Sequence, residues 1–426
     1  MKMIGSGWRR WFVIALLIGV LFACESVAVH ALFTTRFPGG NDFYSRWAGA
    51  RALLRENRDP YSLEVTAEIQ AVKGIDPSKE GKGSFAFPLH VVFLFWPLAY
   101  LPYDWAQAIW MVTLQWVVVG VVVGMLSLER WRPSPVGLAG LFFGTLFLYP
   151  IARSIMLGQF TLHVTLFLVA ALWSLQRGHD GWAGVWLAAT SIKPQMVIFI
   201  GPWLVLWAIA RRRWRLVGGL AAGGVLFLLA SLALFPRWPI SFLEDVQRYG
   251  GVAGGRNPLA VLAGLVWPDG PEAVRYGVAG LLLLGMVWAW WRGRQDEANQ
   301  NEADQNPPQH CLFYGGARLA TYWTIVVSLL VTFQTGTTNQ VMLLIPLLAW
   351  LRKALERRER WWVLIGVGAG QVALWFLFLS TIKGDWENPV LFLPLPLFCL
   401  VVLVGVEITR WRAARHPADS PGSGGT

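Results

Sequence analysis

The side chains in this sequence most able to do chemistry are ionisable groups set inside or beside long apolar runs. Lys193 is the clearest. It follows an apolar stretch of only twelve residues, 181–192, and precedes Pro194. At about 1.5 Å per residue such a helix reaches roughly 18 Å, against a hydrocarbon core of about 30 Å. Lys193 is therefore expected below the membrane interface at a broken helix, where irregular backbone must line a cavity or be covered by protein. A charge there costs about 2.5–3.5 kcal/mol on insertion scales, so it needs a partner or a ligand. It reads either as a phosphate-binding cation or as a snorkelling lysine beside a structural proline. Asp42 lies in Gly39-Gly40-Asn41-Asp42-Phe43-Tyr44, nine residues after the first apolar run. It reads equally as a helix N-cap and as a general base held at the membrane surface.

Weaker candidates surround these two. Arg153, Gln159 and His163 cluster before an apolar run, and the last two, four residues apart, are expected to share a helix face. That pair suits hydroxyl or phosphate binding, or an interhelical hydrogen bond. Arg256 and Asn257 follow Gly-Gly-Val-Ala-Gly-Gly, a flexible run that suits anion binding. Thr337-Thr338-Asn339-Gln340 opens another apolar run, so Asn339 and Gln340 sit where a helix N-terminus favours a phosphate. Tyr44 and Asp59 flank the helix that follows Asp42 and complete the expected substrate-binding set. No Walker loop, metal-ligand motif or GxSxG occurs, and no DxD pair lies on a loop read as cytoplasmic. A metal-bound soluble nucleotide sugar is thus not the expected donor, and the scheme needs no metal and no cofactor.

The elements that must position these residues are membrane helices. Of 426 residues, 55% are hydrophobic and 14% charged, and mean hydropathy is +0.47. A soluble domain carries about 25% charged residues. The 26 tryptophans suit interfacial aromatic belts. The net charge of +11 is spread in short Lys/Arg clusters between apolar runs, so it marks topology and not nucleic-acid binding. Three cysteines without paired spacing give no disulfide framework or zinc site. The apolar segment near the N-terminus runs on to Phe33, which favours a retained span over a cleaved signal.

Apolar length gives about twelve spans. They are 11–33, 103–128, 135–150, 159–176, 181–192, 194–210, 214–235, 272–291, 317–335, 338–351, 361–381 and 389–409. The stretch 85–101, broken by Pro88 and Pro97, is ambiguous. If it does not cross, the clusters ERWR, RGHD, RRR, RGR and RKALERRER fall on the side of the N-terminus. The positive-inside rule makes that side cytoplasmic. The expectation is a single all-α polytopic domain, 1–410, in the cell membrane, with both termini inside and outer loops at 34–102 and 236–271. Within the first loop, 43–56 places Phe43, Trp47, Ala50 and Leu54 on one face and Arg46, Arg51 and Arg55 on the other. Such a helix suits the membrane surface. The stretch 295–309 of the polar cytoplasmic loop 292–316, and the tail 411–426, are expected to be disordered.

The motifs NDFYSRWAGARALLRENRDPYS (41–62), FAFPLHVVFLFWPLAYLPY (85–103), GQFTLH (158–163) and SIKPQ (191–195), followed by RRRWR, occur in an order that resembles glycosyltransferase family 87. Members of this family are polyprenol-phosphate-mannose-dependent mannosyltransferases of the GT-C superfamily. The resemblance implies a GT-C fold with surface helices in the first outer loop and an active site on the outer face. It implies that Asp42 is the catalytic aspartate and that Lys193 matches the lysine of the family's KP motif. With Arg256 and Arg153, Lys193 would bind the donor phosphate. The reaction implied is inverting hexose transfer, with mannose the first candidate, from a polyprenyl-phosphate sugar to a glycolipid or glycan hydroxyl. The chain departs from the family in having TTNQ where many members carry a histidine-rich run, and FAFPL where YPPL is more usual. These changes bear on the sugar and the acceptor more than on the reaction class. The alternative is a transporter or flippase of a lipid-linked sugar, which inverted repeats would favour; none is visible.

The charge pattern makes a direct prediction about sidedness. Cysteines placed at positions 60 and 385 should react with an impermeant thiol reagent in intact cells, and one at 355 should not. Labelling at 355 with protection at 385 would reverse the orientation.

Overall fold

The computed structural model describes residues 5–37, 39, 41–76, 78, 81–252, 257–303, 315–333, 335–356, 360–383 and 387–415. Arg256, Cys311 and the tail from 416 lie outside them. Among the described residues the chain is helical, with no β-strand. The α-helices are α1 Gly5–Val29, α2 Asn41–Glu56, α3 Leu63–Lys73, α4 Tyr103–Leu128, α5 Pro135–Leu146 and α6 Tyr149–Leu157. Next come α7 Thr161–Gln176, α8 Asp180–Ala189, α9 Ile200–Ala210, α10 Trp214–Leu234, α11 Trp238–Val252 and α12 Pro258–Val266. The last are α13 Glu272–Ala303, α14 Gly316–Val331, α15 Leu344–Leu355, α16 Arg360–Thr381 and α17 Pro394–Arg415.

Six helices among the described residues are long and apolar enough to cross a membrane, and a seventh span is possible if the broken pair α5 and α6 counts as one. The chain is a polytopic membrane protein. Its span-length helices leave large apolar side chains bare, such as Leu17 at 62% and Leu281 at 69% exposed, which suits contact with lipid tails. The five other stretches expected as spans form shorter helices, α7, α8, α9, α14 and α15, of 16, 10, 11, 16 and 12 residues. They are shortened because the chain breaks into 3₁₀ turns or loops where prolines and polar side chains interrupt the apolar pattern. The stretch 85–101 forms no α-helix; two 3₁₀ helices, Leu89–Leu94 and Trp96–Tyr100, take its place. α13 continues to Ala303 and α17 to Arg415, so the first parts of the loop and of the tail expected to be disordered are helical.

The chain divides into two compact units. The first holds residues 1–120, 151–163 and 225–254, and the second 121–150, 164–224 and 255–426. In the first, α2 packs on both the 3₁₀ pair and α3. Trp47 Nε1 donates to the Leu98 carbonyl at 2.9 Å, and Arg51 reaches the carbonyls of Ala99 and Leu101. Two of the three arginines of its basic face, Arg46 and Arg51, are half-covered by protein, and Arg55 is exposed. α11 closes on the same loop. Asp245 accepts from the Ala86 amide, Arg248 donates to the Tyr61 carbonyl, and Ser241 donates to Asp59.

In the second unit α8 and α10 meet through glycines. A Cβ on Gly184 would lie 2.1 Å from the Leu216 carbonyl oxygen, and one on Gly219 would lie 2.0 Å from that of Gly181. Such close backbone approach is how small residues drive helix association in lipid. It fixes α8, whose C-terminal end leads into the Lys193 turn. Gly184→Ala should force the helices apart at a cost of about 1–3 kcal/mol. A lower melting temperature in detergent would show this, and an unchanged one would mean the contact is slack.

Candidate functional site

In the first unit the site is built around Asp42. α2 begins at Asn41, so Asp42 lies inside the first turn and is not its cap. The helix start is pinned from below by aromatic packing. Phe43 stacks on Trp110 at 5.0 Å and 9°, and Phe95 and Phe160 close the same cluster. Gly158 permits the approach. Its φ is +73°, and a Cβ there would sit 2.4 Å from the Phe43 Cβ. Only glycine adopts this backbone without strain and leaves that space empty. The turn so formed carries Gln159, whose Nε2 donates to Asp42 Oδ2 at 2.5 Å.

This revises the expected Gln159–His163 pair. α7 begins at Thr161, so Gln159 is in the turn and the two do not share a helix face. His163 is buried and stacks on Trp110 at 5.0 Å and 10°, which makes it part of the core under Asp42. Arg153 is half-buried on α6 in the same unit. Asp59 spends one oxygen on the Tyr61 amide and the other on Ser241. The Asp-Pro-Tyr turn thus reads as a tie, with the Tyr61 hydroxyl bound to the Phe87 carbonyl. Tyr44 packs edge-on against Tyr103 at 4.8 Å, and burial raises its hydroxyl's pKa.

Cations gather near Asp42. Arg46, one turn on, donates to the Asp42 carbonyl and lies over the Phe87 ring at 4.4 Å. Burial lowers its pKa, while Asp42 and Asp245 act the other way. Tyr249, on α11, is raised by burial.

In the second unit the break after α8 occurs as the length of its apolar run implies. A 3₁₀ turn, Thr190–Ile192, leads to Lys193 in extended backbone, the conformation a following proline favours. The Thr190 and Ser191 hydroxyls cover the Leu187 and Ala188 carbonyls left open by the helix end. Lys193 is 7% exposed and donates through Nζ to Asn339 Oδ1 at 2.9 Å. A hydrogen bond to a charged group is worth about 1.5–3 kcal/mol.

Asn339 and Gln340 do not open an α-helix. Thr337–Leu343 is a 3₁₀ helix and α15 starts only at Leu344. The reason is that its side chains are committed elsewhere: Asn339 to Lys193, Gln340 to the Phe392 carbonyl, and Thr337 to Glu387. Asn257 caps α12 through Ala260 N and donates to the Val331 carbonyl, so it ties helices together. Two residues near the candidates were not singled out from sequence. Glu387 accepts from Thr337 and Tyr149, and Lys73 lies near Asp42. Glu387 stands in a short polar loop and Lys73 at a helix end, and neither has a motif to mark it.

Among the described residues no group of three or more His, Cys, Asp or Glu side chains could hold a metal ion. A family model described as glycosyltransferase family 87 matches residues 85–304. The matched stretch includes Lys193 and begins after Asp42. No curated protein and no solved structure matches the chain.

Lys73 ends α3, and its Nζ donates to the buried Ser45 hydroxyl at 3.3 Å. Burial lowers its pKa from 10.5 to about 8; Asp42 opposes this, and Arg46 and Lys82 add to it. Between those two values the unfolded chain holds a proton that the folded chain has lost, so stability rises with pH there. The melting temperature of wild type relative to Lys73→Met should therefore improve as pH is raised from 8 to 10. A difference that is flat over that range would mean Lys73 titrates as an ordinary surface lysine.

Proposed function

The chain belongs to glycosyltransferase family 87, and from that premise we propose that it transfers a hexose from a polyprenyl-phosphate sugar to an acceptor hydroxyl on the outer face of the cell membrane. The family match carries the reaction class: a glycosyltransferase, with a sugar donor and an acceptor. Mannose is the first candidate for the sugar, and a glycolipid or glycan for the acceptor. A lipid-linked donor suits a chain made of apolar helices, since its tail would lie between spans.

In this reading Asp42 takes the proton of the acceptor hydroxyl as its oxygen attacks the anomeric carbon. The bond from that carbon to the phosphate oxygen breaks, and the leaving polyprenyl phosphate keeps the electron pair. Attack from the face opposite the phosphate inverts the configuration. General-base help of this kind is worth about 10²–10⁴-fold. Lys193 binds the donor phosphate and offsets its growing charge. Arg153 and Arg256 are further candidates for that task. The Asp42 carboxylate is oriented by a neutral donor, Gln159, which leaves it capacity to accept a proton.

Asp42→Asn tests the assignment. The amide oxygen still accepts from Gln159, so α2 should hold and the melting temperature should change little. Turnover should fall by about two to four orders of magnitude with donor binding kept. Lys193→Met should do the reverse and weaken donor binding first. Near-normal transfer by Asp42→Asn would remove Asp42 from the mechanism.

A further inference from the structure

Among the described residues the buried and half-buried carboxylates of the second unit have arginine partners, with one exception. Glu129 pairs with Arg318 and Arg352, Asp180 with Arg213, and Glu407 with Arg292 and Arg410. Glu387 is held by hydroxyls instead. Thr337 Oγ1 lies 2.8 and 2.7 Å from its two oxygens, and the Tyr149 hydroxyl donates to Oε2 at 2.7 Å. Among the described residues no cation pairs with it. A carboxylate has about four acceptor sites and the hydroxyls present do not fill them. An arginine partner would occupy a carboxylate in a fixed two-pronged geometry, whereas hydroxyls rotate and can share it.

The position of Glu387 relative to Lys193 gives this chemistry a purpose. Both groups flank the 3₁₀ helix Thr337–Leu343. Thr337 and Gln340, three residues apart, share one face, and both bind the segment that runs from Glu387 to Phe392. Asn339 projects from an adjacent face and holds the Lys193 ammonium. Thr337 and Asn339 are separated by about 4 Å along the 3₁₀ axis, a rise of about 2.0 Å per residue. The two positions also point a third of a turn apart, so Lys193 and Glu387 are held on neighbouring faces of one short helix.

We propose that Glu387 is a specificity-determining residue that reads adjacent hydroxyls of the donor hexose, with Thr337 and Tyr149 setting its orientation. This rests on the donor reading given above and adds to it which side chain distinguishes one hexose from its epimers. A site that hydrogen-bonds a substrate hydroxyl discriminates strongly, because a buried acceptor is left unpaired when the hydroxyl is missing or misplaced.

The test uses the full chain in detergent with three short-chain probes: mannosyl farnesyl phosphate, glucosyl farnesyl phosphate and farnesyl phosphate. Glu387→Gln should raise KM for the preferred sugar donor roughly tenfold to a hundredfold and bring transfer from the two sugars towards equality. Inhibition by farnesyl phosphate, which has no sugar to read, should stay as in wild type. Thr337→Val keeps the carboxylate but removes its orienting hydroxyl, and should show the same pattern more weakly. Equal weakening towards all three probes would make Glu387 a structural residue and overturn the proposal, as would unchanged sugar preference in both variants. A wild-type protein that transfers neither sugar, and is indifferent to farnesyl phosphate, would overturn the donor reading itself.

Discussion

The contact between Phe43 and Gly158 is the constraint on which the first unit's chemistry depends. Phe43 is fully buried, and its ring is fixed by Trp110 and Phe95, both of which pack on Phe160. Aromatic pairs of this geometry contribute about 0.5–1.5 kcal/mol each beyond burial. A rigid ring at the first turn of α2 sets where the next side chain back, Asp42, must lie. The missing Cβ at Gly158 then lets the turn close down and deliver Gln159 to the carboxylate. One steric vacancy and one aromatic cluster thus position a polar pair that would otherwise be free to swing.

A different logic governs the second unit. A helix that stops short leaves its last carbonyls without partners in the helix. The chain answers locally at the end of α8, where Thr190 and Ser191 turn their hydroxyls back onto the helix. It answers at long range with the Lys193–Asn339 bond. The 3₁₀ helix at 337–343 gives up α-helical regularity, and in exchange its side chains serve Lys193, Glu387 and the Phe392 carbonyl. Irregular backbone is retained here because polar groups on both sides of it are satisfied.

Both units share a division of labour between apolar and charged surface. Span-length helices carry bare leucine, valine and tryptophan, while several arginines of the second unit pair with carboxylates. Arg213 with Asp180 and Arg410 with Asp296 are of this kind. The basic residues of α2 are used differently. Arg46 and Arg51 lie against Phe87 and Trp47 and bond to carbonyls, so their charge is spent inside the unit.

The membrane class, the six longest spans, the break at Lys193 and the motifs of the family are all legible along the chain. These follow from composition, apolar length and proline placement, which are local properties. The sequence also singles out Asp42 and Lys193 as charges beside apolar runs, while leaving open a helix cap for the one and a snorkelling lysine for the other. Tertiary structure alone decided what those residues touch. Asp42 meets Gln159 across 117 residues, Lys193 meets Asn339 across 146, and Tyr149 meets Glu387 across 238. It also decided that Asn257 and Asp59 are ties, that His163 is core, and that 337–343 is a 3₁₀ helix and not the start of an α-helix. A polar side chain's role depends on which partner is within about 3 Å, and no periodicity or spacing along the chain encodes that distance.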